Sequence, residues 1–338
     1  MMETSVQERP LLDIRGLEVT FRTEGGDVVP VRGVDLRVEA GKTTALVGES
    51  GSGKSVTSLA IMGLLPRPYG RVSKGVAEFR RRSGAVVDLA SAGQGVVRAL
   101  RGNEIAMIFQ EPMTSLNPVM TVGEQIAEQV RLHMALAPQA AMRHAVEMLS
   151  LVEIPDAARR AGDYPHQMSG GMRQRVMIAL AMSCNPRLLI ADEPTTALDV
   201  TIQAQILDLI ERLRKEHSMG VLFITHNLAV VAEIADTVTV MYAGEVVEKA
   251  NVRDIFHNSR HPYTAALVDC LPERARRDSN GRRIVAAIPG SVTSAAEATG
   301  CRFAPRCQRA VEACEAGSPE LLVAGTGHEV RCFRWSEA

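Results

Sequence analysis

Three short segments made almost entirely of apolar residues constrain the fold of this chain more than any other feature. They span Thr44 to Val47, Leu188 to Ala191 and Val221 to Ile224, and polar or glycine residues follow each of them at once. Strands buried on both faces of a parallel sheet have this composition. Amphipathic stretches alternate with short apolar runs from about Leu11 to Val247, which predicts an α/β fold. Because ligands of open α/β sheets bind beyond the carboxyl ends of the strands, the residues after these segments are the candidate site.

The first segment leads into a glycine-rich loop, Gly48-Glu-Ser-Gly-Ser-Gly-Lys-Ser55, which fits the phosphate-binding pattern G-x-x-x-x-G-K-[ST]. A predicted helix from about Lys54 to Leu65 follows, and its N-terminus adds a positive dipole end to the loop N–H groups. Lys54 is predicted to bind the β and γ phosphates, and the Ser55 hydroxyl to ligate Mg²⁺. A glycine-rich turn without a ligand is the alternative. The residues predicted to contact nucleotide here are Gly48, Ser50, Gly51, Ser52, Gly53, Lys54, Ser55 and Val56.

The other two segments end in side chains that suit phosphate chemistry. Asp192 and Glu193 follow the second segment, and ionised carboxylates beside a core are costly unless they face a ligand. We expect Asp192 to face Mg²⁺ and Glu193 to accept a proton from the attacking water; two acids that cap a neighbouring helix are the alternative. His226 follows the third segment and is predicted to hold the γ phosphate and the water in line, the alternative being a satisfied core histidine.

A fourth motif points to a family. Met168-Ser-Gly-Gly-Met-Arg-Gln174 resembles the LSGGQ signature of ABC ATPases, and Ser169 is placed to cap a helix that begins at about Gly170. The resemblance implies a P-loop NTPase core, with a RecA-like subdomain, an antiparallel β subdomain and an inserted α-helical subdomain. It also implies ATP hydrolysis with Mg²⁺. ABC ATPases work as dimers, and the resemblance implies that Ser169, Gly170 and Gly171 of one subunit cover the γ phosphate of ATP bound to the other subunit.

The resemblance extends to three further positions. Gln110, after a predicted strand from Ile105 to Phe109, matches the glutamine that contacts Mg²⁺ and water and links to the membrane subunit. Asp199 matches the D-loop aspartate at the subunit interface. Phe21 is a candidate for the aromatic residue that stacks on adenine, with a core strand position as the alternative. The predicted catalytic residues are Lys54, Gln110, Glu193 and His226, and the predicted Mg²⁺ ligands are Ser55, Gln110 and Asp192.

Three segments resemble the oligopeptide and dipeptide permease branch, and within it the D-type dipeptide permease ATPases: Gly48 to Leu65, Gln110 to Pro118 and His261 to Leu267. This implies a peripheral motor at the cytoplasmic face of the cell membrane that drives uptake of dipeptides or oligopeptides. The alternatives are uptake of nickel or another small solute, and a non-transport ABC ATPase. The implied partners are a second, related but non-identical ATPase subunit, two transmembrane permease subunits and an extracytoplasmic peptide-binding protein.

A change in composition near His261 predicts a domain boundary. We expect an ABC ATPase domain at 1–260, with the helical subdomain at about 111–185, and a cysteine-rich C-terminal extension at 261–338. The extension lacks the C-x₂₋₄-C pairs of structural zinc sites, and tails of this branch can carry a [4Fe-4S] cluster. A cluster is therefore the first prediction, zinc the second and free thiols the third. The four cysteines concerned are Cys301, Cys307, Cys314 and Cys332.

Charge and hydropathy argue against binding of nucleic acid and against direct insertion into a membrane. The formal net charge of -1 gives no electrostatic attraction to nucleic acid. No stretch approaches the roughly 18 to 20 apolar residues that span a bilayer, and Met1 to Pro10 lacks the apolar core of a signal peptide. We therefore expect contact with a membrane only through partner subunits.

Overall fold

The computed structural model describes residues 9–111, 115–196, 198–277, 283–284, 286–292, 295 and 298–337. The chain forms two compact units, each built from segments that are distant in sequence. The first unit contains the described residues of Met1–Asp13, Arg37–Lys42 and Ala77–Leu222. The second unit contains those of Ile14–Leu36, Thr43–Val76 and Phe223–Ala338.

Helices and strands alternate along much of the described chain. The α-helices are α1 (Lys54–Ile61), α2 (Gln94–Leu100), α3 (Val122–Met134), α4 (Pro138–Leu151), α5 (Ala157–Arg160), α6 (Gly170–Met182), α7 (Val200–His217), α8 (Leu228–Ile234), α9 (Val252–His257), α10 (Pro262–Asp269) and α11 (Glu312–Ala316). The strands are β1 (Leu12–Thr23), β2 (Gly26–Val38), β3 (Thr43–Val47), β4 (Gly70–Arg80), β5 (Val86–Asp88), β6 (Ile105–Ile108), β7 (Leu188–Asp192), β8 (Gly220–Thr225), β9 (Thr237–Tyr242), β10 (Glu245–Asn251), β11 (Arg276–Arg277), β12 (Arg283–Ile284), β13 (Leu322–Gly325) and β14 (His328–Val330).

The three apolar segments form strands as predicted. Every residue of β3, β7 and β8 is buried. In the first unit β6 pairs in parallel with β7, and in the second unit β3 pairs in parallel with β9. Parallel strands buried on both faces are typical of the α/β class, which confirms that part of the prediction.

The second unit has one continuous run of strands with a shared apolar core. Its strand order is β3, β9, β10, β14, β13. The pairs β9–β10, β10–β14 and β14–β13 are antiparallel. Side chains from β3, β9 and α10 pack together with Ala295 and Phe303 from the C-terminal part of the chain. The strand before the glycine-rich loop and residues after 290 therefore belong to the same core.

Helices of the first unit pack closely around α3. α3 contacts α4 and α6, and α4 contacts α5 and α6. Thr121 caps α3, since its side chain accepts a hydrogen bond from the Glu124 N–H at 3.3 Å. The Gly123 N–H donates to the Ala161 carbonyl at 3.0 Å, and a Cβ atom at Gly123 would lie 2.7 Å from that oxygen. Only glycine permits this approach of α3 to the residue that follows α5.

α1 ends earlier than predicted, and α3 ends through the same kind of residue. α1 stops at Ile61 rather than Leu65, because Gly63 adopts φ 59° and its N–H turns back to the Ala60 carbonyl. α3 stops at Met134, because Ala135 adopts φ 54°. Left-handed residues of this kind end helices by satisfying the last carbonyl groups, and sequence periodicity does not reveal them.

Candidate nucleotide site

The glycine-rich loop of the second unit has a backbone that other residues would not permit. Gly48 and Gly53 adopt φ 154° and 101°. A Cβ atom would lie 2.2 Å from the Met241 carbonyl oxygen at Gly48, and 2.4 Å from the Pro30 carbonyl oxygen at Gly53. Gly53 is also the N-cap of α1 and has no side chain to occupy the helix end. An anion bound at this loop would therefore lie at the positive end of the α1 dipole.

Lys54 places a full positive charge inside this loop. Lys54 is only 5% exposed, and its Nζ donates to the Gly48 and Glu49 carbonyls at 2.8 and 2.9 Å. Ser55 is exposed on the first turn of α1. At Gly51, which has φ 80°, no atom lies within 4 Å of where a Cβ would be. A cationic loop with open space at its tip fits a phosphate chain.

A carboxylate at the end of β7 in the first unit is held by two donors. Asp192 ends the strand and is buried, and Glu193 follows with φ 47°. Gln110 Nε2 and Thr196 Oγ1 donate to Glu193 Oε2 at 3.0 and 2.9 Å. The predicted residues Gln110 and Glu193 are thus brought together. The side chains of Asp192 and Gln110 offer the oxygen ligands that Mg²⁺ prefers.

Thr196 is a contact of Glu193 that the sequence analysis missed. Its hydroxyl donates to the carboxylate, and its N–H donates to the Glu193 carbonyl at 3.2 Å. The spacing of three residues after a strand-end acid is the signal that predicts such a turn. Thr196 therefore fixes the direction of the Glu193 carboxylate together with Gln110.

His226 directly follows β8 and is exposed, so it is not the core histidine of the alternative interpretation. The next residue, Asn227, caps α8 by accepting from the Ala229 N–H at 3.0 Å. The strand end therefore turns at once into a helix, as the pattern of a buried strand followed by polar residues predicts. A role of His226 with phosphate remains a prediction.

The signature segment begins a helix as predicted. Ser169 caps α6 by accepting from the Met172 N–H at 3.3 Å, and Gly170 is the first residue of the helix. A Cβ atom at Gly171 would lie 3.0 Å from a side-chain carbon of Ile202 on α7. Asp199 caps α7 through the N–H of that same Ile202 at 3.0 Å. The N-terminal ends of α6 and α7 therefore lie next to each other.

Phe21 is half-buried on β1 in the second unit. A Cβ atom at Gly70 would lie 2.8 Å from its ring, so the ring packs against the backbone at the start of β4. Stacking on adenine remains a prediction for this residue.

Comparisons with known proteins decide the family. Residues 31–196 match the model of the ABC transporter family, and residues 247–314 match that of the oligopeptide/dipeptide transporter C-terminal region. A Brucella melitensis protein with the provisional name peptide import ATP-binding protein is 55% identical over 335 residues, which are 98% of this chain and 99% of the relative. This chain belongs to the ABC transporter ATP-binding family. It is an ATPase of the ABC type with the ATP-binding cassette fold.

Further relatives support the same family. The oligopeptide transport ATP-binding protein AppD of Bacillus subtilis is 47% identical and covers 97% of each chain. The glutathione import ATP-binding protein GsiA of Salmonella typhimurium is 55% identical over 268 residues, which are 79% of this chain and 43% of GsiA. The dimeric structure of the ATP-binding cassette MJ0796 in a post-hydrolysis state, bound to ADP and Pi, gives a TM-score of 0.62 at 26% identity. It covers 72% of this chain and 99% of MJ0796.

The cysteines of this ABC ATPase correct one prediction. Cys301, Cys307, Cys314 and Cys332 line a common pocket with Phe303, but all four are free thiols. Burial raises the pKa of the Cys301 thiol to about 11 and also raises the pKa of Cys307 and Cys332. Within the described residues, which include these four, no group of three or more His, Cys, Asp or Glu side chains is arranged to hold a metal ion. The predictions of a [4Fe-4S] cluster and of zinc are therefore wrong, because the spacing of these cysteines along the chain does not bring their side chains into a metal-binding arrangement.

The helices of the ABC ATPase are too short or too polar to span a membrane, as far as the described residues extend.

Proposed function

We propose that this ABC ATPase is the ATP-binding subunit of an importer for dipeptides or oligopeptides. The observation that carries the proposal is similarity along the whole chain to proteins named for peptide import, together with the match of residues 247–314 to a peptide transporter region. The same similarity supports a peripheral position at the cytoplasmic face of the membrane. The partners in this proposal are two transmembrane permease subunits, an extracytoplasmic peptide-binding protein and a second, related ATPase subunit.

In this proposal the residues of the nucleotide site have separate roles. The Lys54 ammonium and the N–H groups of its loop bind the β and γ phosphates. Ser55, Gln110 and Asp192 provide the oxygen ligands for Mg²⁺, which neutralises phosphate charge when it is bound. Glu193 accepts the proton of the attacking water while Gln110 and Thr196 hold its carboxylate, and His226 orients the γ phosphate.

The second subunit completes the proposed site. Ser169, Gly170 and Gly171 of each subunit cover the γ phosphate held by the other, because a capped helix end directs N–H groups and a positive dipole at an anion. Asp199 lies at that interface in the proposal, and Phe21 stacks on adenine. The helices at about 111–185 form the helical subdomain, and 261–338 the extension of the ATPase domain at 1–260.

The catalytic part of the proposal is tested with Glu193→Gln. This change keeps the shape of the side chain and the hydrogen bond to Gln110 but removes the basic carboxylate. We expect ATP affinity within about threefold of wild type, and a fall in ATP turnover of about 10² or more. The control is Glu216→Gln on the exposed end of α7, which should leave both quantities unchanged. Undiminished turnover in Glu193→Gln would show that another group is the base.

The transport part is tested with membranes from cells that express the tagged chain. Copurified proteins are identified by mass spectrometry, and the assembled complex is placed in vesicles with labelled dipeptide or labelled nickel. We expect permease chains to copurify, and ATP-dependent dipeptide uptake that Lys54→Ala abolishes. Uptake of nickel without uptake of peptides would contradict the proposed solute, and the absence of permease chains would contradict the transporter role.

A further inference from the structure

One ion pair connects the phosphate-binding loop to the C-terminal part of the second unit. Arg306 Nη1 and Nη2 lie 2.8 and 3.1 Å from the two carboxylate oxygens of Glu49, the second residue of the loop. The pairing is therefore bidentate, the geometry in which guanidinium and carboxylate fit best. The two residues are 257 positions apart in the sequence.

Arg306 is held in one position by groups other than Glu49. Its side chain is 4% exposed, Nε donates to the Pro289 carbonyl at 2.8 Å, and Nη1 lies 3.3 Å from the Tyr242 hydroxyl. The guanidinium carbon lies 5.7 Å from the centre of the Tyr242 ring. Burial alone lowers the pKa of Arg306, but the hydrogen bonds to Glu49 and Tyr242 outweigh it and the pKa is raised. The guanidinium is thus a fixed, permanent charge.

Glu49 in turn is held at three points. Its carboxylate accepts from Arg306, its N–H donates to the Tyr263 hydroxyl at 2.9 Å, and its carbonyl accepts from Lys54 Nζ at 2.9 Å. Glu49 therefore connects two cations, the Lys54 ammonium in the loop and the buried Arg306 guanidinium. A shift of Glu49 would displace an acceptor of Lys54 and the first turn of the loop.

The negative charge of Glu49 would oppose the binding of phosphate, and Arg306 neutralises that charge. A carboxylate in a loop that binds a polyanion repels its ligand, and the repulsion is strong where water is excluded. A carboxylate that keeps its buried partner does not present an uncompensated charge. Arg306 therefore affects nucleotide binding both through the charge of Glu49 and through the position of the loop.

We propose that Arg306 is a positioning residue of the nucleotide site, which neutralises Glu49 and fixes the phosphate-binding loop to the C-terminal part of the chain. The inference rests on the proposed binding of ATP by this loop. It places residues after 300 within the machinery that binds phosphate, although they lie outside the motif that the sequence reveals.

The test compares Arg306→Met, Glu49→Gln and the double variant of the full-length chain, with ATP affinity measured by calorimetry. We expect Arg306→Met to weaken ATP binding by at least about tenfold, because it leaves the Glu49 carboxylate unpaired beside the phosphates. Glu49→Gln removes the repelling charge along with the ion pair, so it should weaken binding less than Arg306→Met does, and the double variant should recover part of the loss. An unchanged affinity in Arg306→Met would overturn the proposal. A loss in the double variant as large as in Arg306→Met would also overturn it, since the unpaired Glu49 carboxylate would then not be the cause of the weaker binding.

A matched control and a milder variant complete the test. Arg309→Met changes an arginine of the same segment that donates to the Glu337 carbonyl at 2.8 Å, and it should leave ATP affinity unchanged. If Arg306→Met does not fold, Arg306→Lys keeps the charge but loses the bidentate pairing. We expect this variant to raise the KM for ATP several-fold with kcat unchanged, and an unchanged KM refutes the proposal. A wild-type chain that binds no ATP would instead contradict the proposed function.

Discussion

His261 makes the stability of the second unit depend on pH. It is fully buried as the N-cap of α10, where Nδ1 accepts the Tyr263 N–H at 3.1 Å. Burial lowers its pKa from 6.5 to about 4; Glu248 nearby raises this pKa and Arg331 lowers it further, but burial dominates. A protonated Nδ1 could not accept that hydrogen bond, so the folded unit requires the neutral ring.

The size of the effect follows from the two pKa values. Between about pH 6.5 and pH 4 the unfolded chain binds a proton that the folded chain does not bind, so the free energy of unfolding falls as the pH falls. The full contribution is present above pH 6.5. At pH 5 the loss from this one group amounts to about 2 kcal/mol.

The perturbation is His261→Asn, because asparagine caps helices well and does not titrate. Urea unfolding is followed at pH 7 and pH 5 by the fluorescence of Trp335, the single tryptophan of the chain, which lies in the same unit. We expect wild type to lose about 2 kcal/mol more than His261→Asn over this interval. The exposed His257, changed to asparagine, is the control and should keep the wild-type difference. Equal losses in wild type and His261→Asn would refute the reasoning.

Three further predictions concern the loop, a buried acid and the signature helix. Gly53→Ala places a methyl group 2.4 Å from the Pro30 carbonyl oxygen at φ 101°, so calorimetry should detect no ATP binding; wild-type affinity would contradict the geometry. Glu104 is 4% exposed and accepts two hydrogen bonds from Arg81. Glu104→Gln should therefore lower the free energy of unfolding in urea by about 1 to 3 kcal/mol. An unchanged unfolding midpoint would argue against this ion pair. Ser169→Ala removes the cap of α6 and should reduce stability by about 1 kcal/mol together with ATP turnover, whereas Ser169→Thr should restore both; turnover unaffected by alanine would disprove the predicted role.

Local sequence was sufficient for the strands and for one helix start. β3, β7 and β8 were predictable because a strand buried on both faces must be apolar throughout. The start of α6 was predictable because Ser169 is a strong N-cap residue before a helical pattern. In these places the cause of the structure lies within a few residues.

Distant contacts could not be predicted in this way. Nothing near Glu49 indicates that its partner is Arg306, since the pairing depends on how the chain folds back over 257 positions. The cysteine prediction was wrong for a related reason, because spacing along the chain does not fix the directions of four thiols. The family resemblance was the reason for predicting the cluster, whereas the four thiols of the structure are free, with Cys314 buried and the other three partly exposed.

The core shared by β3, Ala295 and Phe303 has a consequence for how the protein is made in the cell. Translation delivers the glycine-rich loop early, yet the apolar surface beneath it stays exposed until Phe303 has been synthesised. Because a domain folds as a unit, the second unit stays incompletely folded, with apolar surface exposed, through most of the synthesis of the chain. Apolar surface exposed in this way favours aggregation until the core is complete.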